Sequence, residues 1–153
     1  MADCNDGFKK RMNSENKAEQ KCQEYLNSKK DIFWSRFGWD EDLGDFFFKL
    51  PKMMWKMPDY IFINNIESYF LEAKGCYGVL QFKYVDYDQY IKWNEIMKVV
   101  IYVCDFKNLE AWLIPLNIIT RDIPILETGL TPNDNKECWL INPQEMYRRK
   151  NEI

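Results

Sequence analysis

The sequence predicts an α/β domain built around one mixed β-sheet, and three observations predict it. A helical periodicity runs near the start of the chain, two β-rich runs flank a turn signal at Asn64-Asn65, and a second helical stretch leads into two more apolar runs. With 153 residues, 46% of them hydrophobic and 29% charged, the chain has the length of one ordinary domain and enough apolar surface to bury a core. A single domain is therefore expected over residues 1–153, with its core at about 14–116 and an irregular C-terminal extension over 117–153.

The elements follow in order. Ser14 is a candidate N-cap with Glu15 in the first turn, and Ala18, Cys22, Tyr25 and Leu26 recur at helical spacing, so a helix is expected over 14–31. Glu19 sits one turn before Cys22, either at the edge of the buried stripe or in solvent. Residues 36–57 suggest a strand or two, Phe46–Phe48 and Met53–Trp55, separated by Pro51 and punctuated by Lys49, Lys52 and Lys56. The runs 59–63 and 68–74 read as a β-hairpin. Residues 82–97 fit a helix with Tyr90, Trp93 and Met97 along one stripe, and Val99–Cys104 and Ala111–Leu116 read as strands. In the tail, Pro124 and Pro132 interrupt any pattern until Asn142 as N-cap, Pro143 at the first helical position and Glu145 two residues on announce a short last helix.

Composition excludes several functions. Lys and Arg number 21 against 24 Asp and Glu, for a formal charge of −3, with residues 8–58 net basic at +3, residues 59–153 net acidic at −4 and residues 1–7 adding −2. The longest apolar run, Val99–Cys104, is far too short to span a bilayer, so no membrane partner is expected. Met1–Asn13 lack the apolar stretch of a secretory signal, which gives an intracellular expectation. Five cysteines, widely spaced and without a Cys-x-x-Cys pair, fit reduced thiols better than a disulfide framework or a zinc site. Histidine is absent altogether. That removes Ser-His-Asp and Cys-His catalysis and His-ligated zinc in one step, and leaves carboxylates, Lys, Tyr, Cys or a hard metal ion to carry any chemistry.

The hairpin concentrates such groups. If residues 64–67 form its loop, Ile63 pairs with Ser68 and Asp59 faces Glu72 across the ladder. Two carboxylates at a cross-strand distance of roughly 5 Å repel each other, and their strands are otherwise apolar. Glu72 and Lys74 project from the same face of one strand, while Leu71 and Ala73 point the opposite way. Two carboxylates and an ammonium thus converge, a set that suits Mg²⁺, which takes one or two carboxylates together with water and substrate phosphate.

Pro58-Asp59, a spacer of twelve residues (60–71) and Glu72-Ala73-Lys74 resemble the signature of the PD-(D/E)xK nuclease superfamily, which includes restriction endonucleases and archaeal Holliday-junction resolvases. The order of helix, Pro-Asp strand, Glu-x-Lys strand, helix and two strands is similar as well, over roughly residues 14–116. The resemblance implies a restriction endonuclease-like core, a mixed sheet flanked by helices. It implies a Mg²⁺- or Mn²⁺-dependent endodeoxyribonuclease, structure-selective or belonging to a phage or mobile element. In that reading Asp59, Glu72 and the carbonyl of Ala73 ligate the metal, Glu19 completes the site and Lys74 orients the water. Lys83, Asp86 and Tyr90 match only loosely a helix that positions substrate in some members.

DNA is the expected partner, with Lys49, Lys52 and Lys56 as a phosphate-contacting strip and Lys83 and Tyr90 as further contacts. A homodimer through Phe46–Trp55 is a candidate assembly. The alternative is a non-catalytic protein of the same fold, a phage-encoded inhibitor or a subunit that binds nucleic acid or another protein. Each functional reading has a structural counterpart: Glu72 and Lys74 as a surface pair, Asp59 as a turn cap, Tyr90 and Trp93 as core aromatics, and the lysines as edge-strand charges.

Overall fold

A computed structural model of the chain describes residues 4–38 and 49–150. Helix α1 (Cys4–Asn27) is followed by β1 (Phe33–Arg36), β2 (Tyr60–Ile63), β3 (Ser68–Cys76) and β4 (Leu80–Lys83). Helix α2 (Tyr84–Ile96) leads to β5 (Val99–Asp105), β6 (Glu110–Pro115) and α3 (Leu116–Asp122), and the chain continues through β7 (Glu127–Leu130), β8 (Glu137–Ile141) and α4 (Pro143–Lys150). Five strands form a mixed sheet in the order β1-β2-β3-β5-β6, in which β3 and β5 are parallel and every other pairing is antiparallel.

The parallel pair is the centre of the molecule. Every residue of β5 is buried, and β3 is buried from Tyr69 to Ala73, the near-continuous apolar run that a strand covered on both faces requires. On one face α1 lays Ala18, Cys22 and Leu26 against Tyr60, Phe62, Leu71, Val100 and Tyr102. The other face packs Phe70, Val99, Ile101 and Ile114 against Tyr90 and Trp93 of α2, Leu116 and Ile119 of α3, and Met146 of α4. The hairpin has the expected register: Tyr60 faces Leu71 and Ile63 faces Ser68. Its loop is closed by the Asn64 carboxamide, which accepts the N–H groups of Ile66 and Glu67 at 2.8 and 2.6 Å.

Four expectations change. Helix α1 starts at Cys4, so Ser14 lies inside it, and it ends at Asn27 rather than at residue 31. Asp31, at φ 61°, turns the chain back into β1. Met53–Trp55 belong to a 3₁₀ turn (Lys52–Trp55), closed by the Met54 N–H donating to the Pro51 carbonyl at 2.8 Å, because Pro51 starts a turn where the apolar run suggested a strand. Phe46–Phe48 lie outside the described residues. Residues 82 and 83 are strand, and α2 begins at Tyr84.

The segment 117–153 is not irregular. It holds most of α3, a 3₁₀ turn (Ile123–Ile125) and the strands β7 and β8, and β8 pairs antiparallel with β4 in a second sheet ordered β4-β8-β7. Phe82, Trp139 and Ile141 of that sheet enter the same core as α2. Asn142 caps α4 as expected, accepting the Glu145 N–H at 3.2 Å. The described cysteines, Cys22, Cys76, Cys104 and Cys138, are free and buried.

Ile141 is fully buried on β8. Ile141→Ala should therefore cost about 2–5 kcal/mol in denaturant unfolding, whereas a cost below about 1 kcal/mol would mean that the C-terminal strands are not part of the cooperative core.

Candidate active site

The site is built where β2 enters the sheet. Asp59 lies immediately before β2, and its carbonyl accepts the N–H of Phe37 at 2.8 Å and of Gly38 at 3.3 Å, which fixes the backbone at the start of the strand. A β-carbon at Gly38 would sit 3.1 Å from the Pro58 carbonyl oxygen, so the close approach of these two segments needs a residue without one. With its backbone held, Asp59 turns its side chain onto β3, where Oδ2 accepts the Ala73 N–H at 2.8 Å.

Glu72 and Lys74 sit on the α2 side of β3, two residues apart. Lys74 Nζ meets Glu72 Oε1 at 2.9 Å and Asp86 Oδ2, on the first turn of α2, at 3.5 Å. Glu72 is 5% exposed, the Tyr90 hydroxyl bears on its carboxylate, and its second oxygen, Oε2, is buried without a hydrogen bond of good geometry. Buried carboxylate oxygens are rarely left so, because an unmade hydrogen bond there costs its full desolvation. Asp86 is also 5% exposed, and Lys56 Nζ approaches its Oδ1 at 3.3 Å.

The electrostatics follow from this crowding. Burial, and next the charge of Glu72, push the Asp59 carboxyl well above its usual range, against the pull of the Ala73 N–H and Lys74. Burial works against the Lys74 ammonium, but Glu72 foremost, with Asp86, outweighs it and holds the group above its ordinary range. Burial likewise opposes ionisation of Asp86, yet Lys74 and Lys56 keep its carboxyl below the usual range. Lys74 is thus a permanent cation, suited to holding a water or a phosphate oxygen and unsuited to taking a proton.

The other candidates are sorted by their surroundings. Glu19 is held at 2.8 Å by Arg36 of β1 and still acts by charge on Asp59, and among the described residues no three His, Cys, Asp or Glu side chains converge on one point. Tyr90 is 1% exposed with its ring stacked on Phe82, so it is a core residue and unavailable to a DNA base. Lys83 is tied to Asp134 at 2.8 Å. Lys49 and Lys52 are exposed beside the 3₁₀ turn.

No family model matches the chain, and no curated protein matches it. Among solved structures, Hjc from Archaeoglobus fulgidus, a Holliday junction resolvase from an archaeal hyperthermophile, superposes over 87% of this chain and 91% of its own, with a TM-score of 0.56 and 11% sequence identity. The chain has the fold of that resolvase. That fold is a mixed sheet flanked by helices, as the resemblance of Pro58-Asp59 and Glu72-Ala73-Lys74 implied, and at 87% of the chain the superposition covers more than residues 14–116.

Asp86, which the sequence reading matched only loosely, with Lys83 and Tyr90, to a substrate-positioning helix, is the member of that trio that forms an ion pair with Lys74. The signal was present: Asp86 stands four and seven residues before Tyr90 and Trp93, an acid on the buried stripe of a helix.

The pH dependence of Asp59 has a definite sign. The fold favours its neutral form, so the metal-free protein loses stability as pH rises from the ordinary carboxylate range, about 4, through the raised value. Asp59→Asn does not titrate and should be the more stable protein at pH 8, with the gap closing toward pH 4. Denaturant unfolding in chelator across that range checks it, and a gap independent of pH would contradict the arrangement.

Proposed function

We propose that the chain is a divalent-cation-dependent endodeoxyribonuclease that hydrolyses phosphodiester bonds in branched DNA. The observation that carries this reading is the carboxylate of Glu72, held by Lys74 on one oxygen and left without a hydrogen bond of good geometry on the other, beside Asp59. Such a buried oxygen next to a second carboxylate suits a hard cation, and two carboxylates are the protein share that Mg²⁺ or Mn²⁺ commonly takes when water and substrate phosphate complete its shell. Asp59 and Glu72 would hold the ion, with the Ala73 carbonyl as a further ligand. A bound ion supplies a more acidic water and neutralises charge on the scissile phosphate.

The chain's own residues do the rest. Lys74 donates to the attacking water and offsets the negative charge that grows on the phosphate, as a fixed ammonium rather than as a base. Asp59 stays deprotonated when the cation is bound, because a neighbouring positive charge reverses the repulsion that burial and Glu72 impose on it. Lys49 and Lys52, exposed beside the 3₁₀ turn, offer ammoniums to the phosphate backbone. The likeness in fold to a Holliday junction resolvase supports DNA as the substrate and a branched structure as the preferred form. A junction needs two cuts, which a homodimer would deliver.

The test is cleavage of linear duplex, single-stranded, flap and four-way-junction DNA in Mg²⁺ or Mn²⁺. Wild type should cut, the four-way junction most readily, and Lys74→Ala and Asp59→Ala should each lose about 100-fold or more. Absence of cleavage by folded, metal-loaded wild type, or cleavage undiminished in both variants, would overturn the reading.

A further inference from the structure

The two lysines at the site share one buried carboxylate. Asp86, 5% exposed, receives Lys74 on Oδ2 at 3.5 Å and Lys56 on Oδ1 at 3.3 Å, with Lys83 acting on it more weakly from farther off. The contacts differ in kind. Lys74 is also engaged by Glu72 at 2.9 Å and its side chain is 18% exposed, whereas the Lys56 side chain is 52% exposed. Lys56 Nζ lies 3.3 Å from Oδ1, so Asp86 holds one face of this ammonium and leaves the half-exposed remainder in reach of solvent.

Lys56 is also placed by its backbone. The Trp93 indole N–H of α2 donates to the carbonyls of Lys56 at 3.0 Å and Met53 at 3.3 Å, and the 3₁₀ turn before it is closed on Pro51. The same helix that carries Asp86 thereby clamps the segment carrying Lys56, three residues before Asp59. A free surface lysine needs no such clamp, and a lysine serving stability alone would gain little from an ion pair whose ammonium is half in solvent. A half-exposed cation fixed at the lip of a buried carboxylate pair is placed to meet an anion arriving from solvent.

We propose that Lys56 binds a substrate phosphate at the site and that Asp86 is the positioning residue that holds Lys56 and Lys74 together as a pair of ammoniums. This rests on the nuclease reading above, and it adds to it a second phosphate-binding cation and the group that orients both. The substrate class is the DNA backbone, recognised through its non-bridging phosphate oxygens.

The experiment uses the full chain, a synthetic four-way junction and three variants, Lys56→Ala, Lys56→Arg and Asp86→Asn, each checked for a cooperative melt. Equilibrium binding is measured in chelator as a function of salt, and turnover in Mg²⁺. Lys56→Ala should reduce the slope of log affinity against log salt by about 1, the loss of one phosphate contact, and Lys56→Arg should restore it. Asp86→Asn removes a negative charge, so unpositioned electrostatics would tighten DNA binding and leave turnover alone; the proposal instead expects kcat to fall by about 10-fold or more. A salt slope unchanged in Lys56→Ala, or wild-type kcat in folded Asp86→Asn, overturns it. If Asp86→Asn does not fold, the Lys56→Ala slope decides. Failure of wild type to cleave is a separate result that counts against the nuclease reading, while the binding slope still tests Lys56.

Discussion

Glu72 carries a carboxylate onto a strand covered on both faces, and a charge in such a place needs a counter-charge. Lys74, two residues on and pointing the same way, supplies it at 2.9 Å. That one ion pair constrains its surroundings. The lysine is itself buried enough to need a second anion, which α2 provides as Asp86, and Asp86 in turn draws Lys56 to its open side. The chain of alternating charges from Glu72 to Lys56 runs from the central strand out to solvent and ties the 3₁₀ turn, α2 and β3 into one unit. Its inner end is the Oε2 of Glu72, without a hydrogen bond of good geometry, beside an Asp59 whose ionisation burial and Glu72 oppose.

The rest of the fold serves to hold that end open. Helix α1 seals the far face with Ala18, Cys22 and Leu26, small or flexible side chains that let it lie close to β3. Gly38 lets the chain after β1 press against Pro58 and set the direction of Asp59. The second sheet packs Phe82, Trp139 and Ile141 beneath α2, so the helix that bears Asp86 and Trp93 rests on a rigid support rather than on solvent. Placing charges to within a fraction of an ångström is what proximity effects in catalysis require, and rigid elements do it better than loops.

Much of this was legible in the sequence because it is local. The hairpin register follows from alternation and from Asn64 at the turn, and with the register comes the convergence of Asp59, Glu72 and Lys74. What was not legible depends on distant pairing or on competing local signals. Strand β7 is short and exposed and contains Gly129, and β8 is five residues long; β8 pairs with β4, more than fifty residues earlier, which no window of sequence contains, and β7 pairs in turn with β8. Ser14 offers a capping side chain, yet the helix runs through it because nothing from Cys4 onward breaks the pattern beyond one glycine. Tyr90 carried an ambiguous signal, an aromatic equally fit for core or for base stacking, and the packing of Phe82 decided it. Asp86 was only a loose match because an acid on a helix is ordinarily a solvent residue, and its two lysines come from β3 and from the segment after the 3₁₀ turn, distant in sequence.

The central claim is that the open side of Glu72 is a cation position shared with Asp59. Titration of Mn²⁺ into the DNA-free protein, followed by the loss of the free-ion paramagnetic signal, tests it without requiring substrate or turnover. The account predicts saturable binding by the wild type that Glu72→Gln and Asp59→Asn each weaken by at least about 10-fold, the loss of one of two carboxylate ligands. Mn²⁺ bound equally well by wild type and both variants, or not bound by any of them at millimolar concentration, would contradict it.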